Sequence, residues 1–230
     1  MIAWMLVQLL ASATAPTLSV PVEVGPRVLI PRSLAPKLVT LDAAFVALWY
    51  EDRDGVPAIW ATRVDATGHA AEPYGHRVLS VSSTGFLAAA SDDTILIVSG
   101  SQAFRVNSSL AQVDDVPISL PMQPQVVVGG EDAFLALMPD TTGVVGVRIS
   151  RLGTLVDAAP VRLLSLADQP NGLAAAWDGT NYVIVFGRPI SNRWQLSQAR
   201  VGVDLTLHDG LAGAIVDNSN GSGGHPSIAC

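Results

Sequence analysis

Cysteine occurs once, at Cys230, so neither an intrachain disulfide nor a multi-cysteine metal site can form within the chain. Lysine also occurs once, at Lys37, and 13 basic residues against 20 acidic ones leave a net charge of −7 with no basic cluster. That balance excludes the electrostatic footprint of a nucleic-acid or anionic-membrane surface. Charged residues make up only 14% of the chain, well under the roughly 25% of an average soluble domain. His69, His76, His208 and His225 have no i, i+4 spacing and no cysteine partners, which removes a zinc site. A Gly-x-Ser-x-Gly elbow, a phosphate loop and a dinucleotide fingerprint are likewise missing.

Present instead are 20 glycines and 15 prolines, spread along the chain rather than gathered into a linker, beside a 49% hydrophobic fraction. Many short strands joined by turns are the expected outcome, with enough apolar material for a substantial core. At the N-terminus, Ile2 to Leu10 is apolar except for Gln8, and the small residues Ala11-Ser12-Ala13 and Ala13-Thr14-Ala15 follow. This pattern predicts a signal peptide over 1–15, cut after Ala13, although no Lys or Arg precedes Arg27. The run is far shorter than the ~20 apolar residues of a membrane span.

A recurring pattern organises the remainder. An arginine followed by a β-branched residue closes an apolar run at Arg63-Val64, Arg105-Val106, Arg148-Ile149 and Arg200-Val201, at spacings of 42, 43 and 52 residues. Turn glycines follow at one offset in two copies, Gly68 and Gly153. Upstream of each arginine stands an apolar strand: Phe45–Trp49, Ile95–Val98, Phe134–Met138 and Tyr182–Phe186. Before a short polar turn lies another: Leu38–Leu41, Phe86–Ala90, Val126–Val128 and Leu173–Trp177. Fainter fourth strands occur at His76–Ser80, Val116–Leu120 and Val161–Ser165. Four antiparallel strands in about 40–50 residues, repeated, form the blade unit of a β-propeller.

The expectation is therefore an all-β, β-propeller-like array of about four four-stranded antiparallel blades, incomplete or open. Its units run about 36–80, 84–120, 124–165 and 170–216 within a repeat domain at 16–230, with a partial unit at 224–230. Pro26–Ile30 reads as a fourth strand without a blade, and His225–Cys230 as the opening of another blade, so a fragment of a longer propeller is expected.

The best-preserved copy, Ala-Ala-Trp-Asp-Gly-Thr-Asn-Tyr-Val-Ile-Val-Phe at 175–186, resembles the WDGTNYLVVW-type repeats of secreted, myxobacterial-type bacterial proteins. The resemblance implies an exported β-propeller-like scaffold and brings no catalytic residues. In this copy Asp178-Gly179 reads as a tight hairpin turn with both residues at positive φ, and Trp177 and Phe186 as packing residues between blades. Trp49 is assigned the same packing role.

Candidate contact residues lie near the longer hairpins. Trp194, in the polar setting of Asn192, Arg193 and Gln195, is the best candidate for an exposed contact, with Arg193 and Trp60 beside the hairpin ends. Glu51, Asp52 and Asp54 offer oxygens to calcium, but the full Asp-x-Asp-x-Asp-Gly series is absent and Arg53 adds positive charge, so a solvated hairpin tip is favoured and no cofactor is assigned. The recurring arginines read as partners for carbonyls or carboxylates between blades. The leading functional expectation is a non-enzymatic secreted scaffold or binding module with protein or glycan partners, at the cell surface, in the periplasm or outside the cell. A carbohydrate-active propeller of glycoside hydrolase or lyase type is the alternative, and it requires two converging carboxylates.

Overall fold

The computed structural model describes residues 36–41, 44–53, 55–82, 84–166, 170–190, 193–210, 213–217 and 226–228. The signal peptide expected at 1–15, the strand at Pro26–Ile30, Asp54 and most of the partial unit at 224–230 lie outside them. Among the described residues there is no helix, and so none long and apolar enough to cross a membrane.

Among the described residues sixteen strands form four antiparallel sheets, each a simple meander. The first contains β1 (Lys37–Leu41), β2 (Ala44–Arg53), β3 (Val56–Val64) and β4 (His76–Ser80). The second contains β5 (Leu87–Ser91), β6 (Thr94–Ser99), β7 (Gln102–Asn107) and β8 (Ile118–Ser119). The third holds β9 (Val126–Gly129), β10 (Ala133–Asp140), β11 (Gly143–Ser150) and β12 (Val161–Ser165). The fourth holds β13 (Asn171–Trp177), β14 (Tyr182–Ile190), β15 (Arg193–Val201) and β16 (Ala214–Asp217).

Period-two alternation sends successive side chains of each second strand to opposite faces, and both faces of the middle sheets are apolar. Ile95 and Ile97 of β6 pack with Val46 and Leu48 of the first sheet. From the other face of β6, Leu96 and Val98 pack with Phe134, Ala136 and Met138 of the third sheet. Leu135 and Leu137, on the opposite face of β10, pack with Tyr182, Ile184 and Phe186 of the fourth. Each pair of consecutive sheets thus encloses its own core. This is why the inner strands read as nearly unbroken Val, Ile, Leu and Ala.

The first strands adjoin in chain order, β1 beside β5, β5 beside β9 and β9 beside β13. The approach is close enough to dictate residue size. A Cβ on Gly129 would lie 1.7 Å from the Ala90 carbonyl oxygen. Hydrogen bonds cross these junctions as well: Ser91 Oγ donates to the Gly130 carbonyl at 2.8 Å, and the Tyr182 hydroxyl donates to the Ala133 carbonyl at 3.0 Å. Burial pushes the Tyr182 phenol up to about 12, keeping it a donor across the physiological range.

Two local readings differ from expectation. The turn at Asp178 is a four-residue loop closing Trp177↔Tyr182, with only Gly179 at positive φ (96°). Asp178 acts through its side chain, accepting the amide protons of Thr180 and Asn181 at 2.8 and 2.6 Å. The fourth strand of the second sheet contracts to Ile118–Ser119, since Pro117 lacks the N–H that would extend the ladder. Phe186 and Trp177 do pack toward the third sheet, Trp177 also meeting Tyr182 in a tilted ring contact with centroids 4.9 Å apart.

Replacing Gly129 by alanine is expected to cost about 3 kcal/mol through overpacking. For a chain of this size that lowers Tm by roughly 6–12 °C; calorimetry checks it, and an unchanged Tm would rule out the close β5–β9 approach.

Candidate functional site

The most regular chemistry in the molecule is an arginine paired with a carboxylate nine residues later. Arg63 pairs with Glu72, Arg105 with Asp114, Arg148 with Asp157 and Arg200 with Asp209. In every copy the carboxylate also accepts the backbone N–H of its arginine, at 2.8, 2.7, 2.8 and 2.7 Å respectively. The intervening loop is pinned by a β-bridge from the residue after the arginine, Val64↔Ala70, Val106↔Gln112, Ile149↔Leu155 and Val201↔Leu207. One residue of each loop takes a left-handed conformation: Gly68, Leu110, Gly153 and Leu205. The leucines replace glycine because their side chains are buried, at 1% and 6% exposure. Burying leucine is worth about 1.5–3 kcal/mol, which offsets the roughly 1–2 kcal/mol cost of the backbone.

Two of these guanidinium groups also reach the following sheet. Arg105 Nη1 donates to the Arg151 carbonyl at 2.6 Å and Arg148 Nη1 to the Val203 carbonyl at 2.7 Å. Gly153 leaves room for the first contact, since a Cβ there would lie 2.7 Å from Arg105 Nε. The recurring arginines therefore satisfy a carboxylate within their own sheet and, in these two cases, a carbonyl of the next. Burial pushes the carboxyls of Glu72 and Asp157 up, but the arginine hydrogen bonds and charge outweigh it and leave both below the ordinary range. For Asp209 the Arg200 hydrogen bond is itself the main cause of the lowering.

The candidate contact residues lie at the opposite, hairpin end of the strands, on the first and fourth sheets. Glu51 is 2% exposed. Its Oε2 accepts Trp49 Nε1 at 2.8 Å and Arg53 Nη2 at 2.7 Å, while Arg53 Nε lies 2.7 Å from Oε1 off the line of a hydrogen bond. The Arg53 guanidinium lies 3.7 Å from the Trp60 ring centroid. Burial pushes the Glu51 carboxyl up, but the bonds from Arg53 and Trp49 hold it below the usual range. Glu51 is thus engaged by Arg53 and Trp49, and its neighbour Asp52 is exposed. Among the described residues no three His, Cys, Asp or Glu side chains gather as a metal site. Trp49 lies on the far face of the first sheet, against which no other described sheet packs, rather than between two sheets.

Arg193 and Trp194 open β15, in register with Ile190 and Pro189, on a different sheet from Trp60. The structure brings Trp60 together with Arg53 and, through it, Glu51. At the same strand end a cleft of about 460 Å³ separates the second and third sheets, lined among others by Phe86, Gly100, Gln123, Pro124, Gln125 and Pro139. Asp140 lies next to it in sequence and is held by Arg162 through two bonds of 2.9 and 2.6 Å, which keep its carboxyl well below the usual range. Sequence reasoning missed this cleft and the arginine–carboxylate spacing. The spacing was open to counting; the cleft depends on how two sheets meet.

No protein-family model matches the chain, and no curated protein matches it.

Glu51, Glu72, Asp140, Asp157 and Asp209 all have folded-state pKa values below their ordinary ones. Their contribution is complete above the unfolded carboxyl range of about 4 and is lost as pH falls through the lower folded values. Thermal melts should give a level Tm from neutral pH to about 5 and a steep fall below about 4. Asp157→Asn should lower the neutral-pH plateau and shrink the fall; an unaltered pH profile would contradict the pairing.

Proposed function

We propose that this chain is a β-propeller-like, non-enzymatic repeat scaffold that binds protein or glycan partners at the hairpin end of its sheets. Support for the propeller arrangement comes from the separate core between each pair of consecutive sheets and from the succession of first strands β1, β5, β9 and β13. The N-terminal pattern at 1–15 and the resemblance of 175–186 to secreted repeats favour an exported protein, at the cell surface, in the periplasm or outside the cell. A net charge of −7 favours neutral or basic partners over nucleic acid.

One observation carries the binding reading: the hairpin-end cleft is lined by glutamine amides, prolines and apolar side chains, and Asp140 beside it is engaged by Arg162, as Glu51 on the first sheet is by Arg53. Such a lining offers hydrogen bonds and apolar contact to a neutral ligand without an acid–base pair. Trp60, Arg193 and Trp194 extend the same end of the array on other sheets.

Titrating the ¹⁵N-labelled chain with neutral oligosaccharides and with extended peptides tests this. Amide signals of Gly85, Gly100, Gln123 and Gln125 should move together, with the titrant recovered intact by mass spectrometry. Cleaved titrant would overturn the non-enzymatic reading, and shifts confined to other residues would remove the cleft as the binding surface.

A further inference from the structure

The two faces of each sheet are not equivalent. On the second, third and fourth sheets the face bearing Ile95, Phe134 or Tyr182 packs on the preceding sheet, and on the first, second and third the face bearing Val46, Leu96 or Leu135 packs on the following one. Among the described sheets, the first has no predecessor and the fourth no successor. Register identifies what each lacks. Leu38, opposite Ala47, is the counterpart of Ala88 opposite Ile97, Val127 opposite Ala136 and Ala175 opposite Ile184. Those three pack into cores between sheets. Leu38 is 59% exposed.

At the other end, Val183 and Val185 of β14 correspond to Leu135 and Leu137, and to Val46 and Leu48. Those four are fully buried at 0%, whereas Val183 and Val185 are only half-buried. Among the described residues the arginine contact between sheets is made at the two later joints and not at the first, where Arg63 is 43% exposed and bonds Glu72 of its own sheet. Arg105 and Arg148 each bond the carbonyl three residues beyond the next sheet's arginine, and their side chains are 14% and 20% exposed. Arg200 is 51% exposed, its guanidinium bonding Asp209 with the Asp178 charge nearby.

We propose that a second copy of this chain supplies both missing neighbours, the fourth sheet of each copy packing on the first sheet of the other. The chain argues for its own kind as the occupant because the same joint, following face onto preceding face, occurs between every consecutive pair of its sheets. The first sheet presents the face that a fourth sheet lacks, and the converse holds. The carbonyl position matching Arg151 and Val203 is Ala66, so Arg200 of one copy would reach Ala66 of the other. Two copies of four sheets make a ring of eight, at the upper end of the usual range of about 4–8 blades, and two-fold symmetry is the commonest closed arrangement. This inference rests on the propeller-like stacking proposed above but not on any ligand.

Analytical ultracentrifugation of the full chain at micromolar concentration tests it, with circular dichroism and thermal melting to verify folding. The expected mass is that of a dimer. Leu38→Arg should raise the dissociation constant at least about 100-fold, because it places an uncompensated charge in the joint. It should leave the spectrum and the monomer's cooperative melt intact, since Leu38 is exposed within one copy. Val185→Arg, on the opposite face, should do the same and serves as the independent variant. A monomer, a ladder of higher masses, or a dimer that survives both substitutions overturns the proposal. Dissociation by Leu38→Arg with ligand-induced shifts retained at the cleft would separate this inference from the binding reading.

Discussion

A carboxylate that accepts both the guanidinium and the backbone N–H of an arginine nine residues earlier is the contact on which this architecture depends. Within a sheet it folds the chain after the third strand back on itself, so the fourth strand can begin. Between sheets, the same guanidinium has a nitrogen left over for a carbonyl of the neighbour. A lysine could not serve, because its point charge offers no planar fork to divide between partners. The near absence of lysine fits a chain in which cations act mainly as structural forks.

Apolar burial supplies the bulk of the stability and the arginine pairs supply its order. Each middle sheet is apolar on both faces, so neither is satisfied alone. The cores at successive joints set how closely first strands approach, and Gly129 is the residue that this spacing demands. Polar groups caught at the junctions, Ser91 and Tyr182, find carbonyls across them. The stacking surfaces left over at the first and fourth sheets follow from the same rule.

Most of the strands were readable from sequence because unbroken runs such as Phe134–Met138 alternate with polar turns, and their ends agree with β10 and its counterparts to within a few residues. The arginine marker was also visible. Its partner is harder to read, being Glu72 in one copy and aspartate in three, and the turn glycines recur in only two of the four loops; Leu110 and Leu205 adopt the same left-handed conformation through burial, which no local propensity announces. The site was less legible. Trp60 was a candidate, but its contact with Arg53 and the engagement of Glu51 arise from cross-strand register, and the cleft beside Gln123 and Gln125 exists only where two sheets meet.

The most direct test of this account is a double-mutant cycle on the least exposed pair, Arg105→Met and Asp114→Asn, read as unfolding free energy in urea. Because the two side chains share one network with the backbone and the neighbouring sheet, the account predicts a coupling of about 1–3 kcal/mol, each single substitution costing nearly as much as both together. Strictly additive effects would show that the arginine and the carboxylate act independently, and would contradict it.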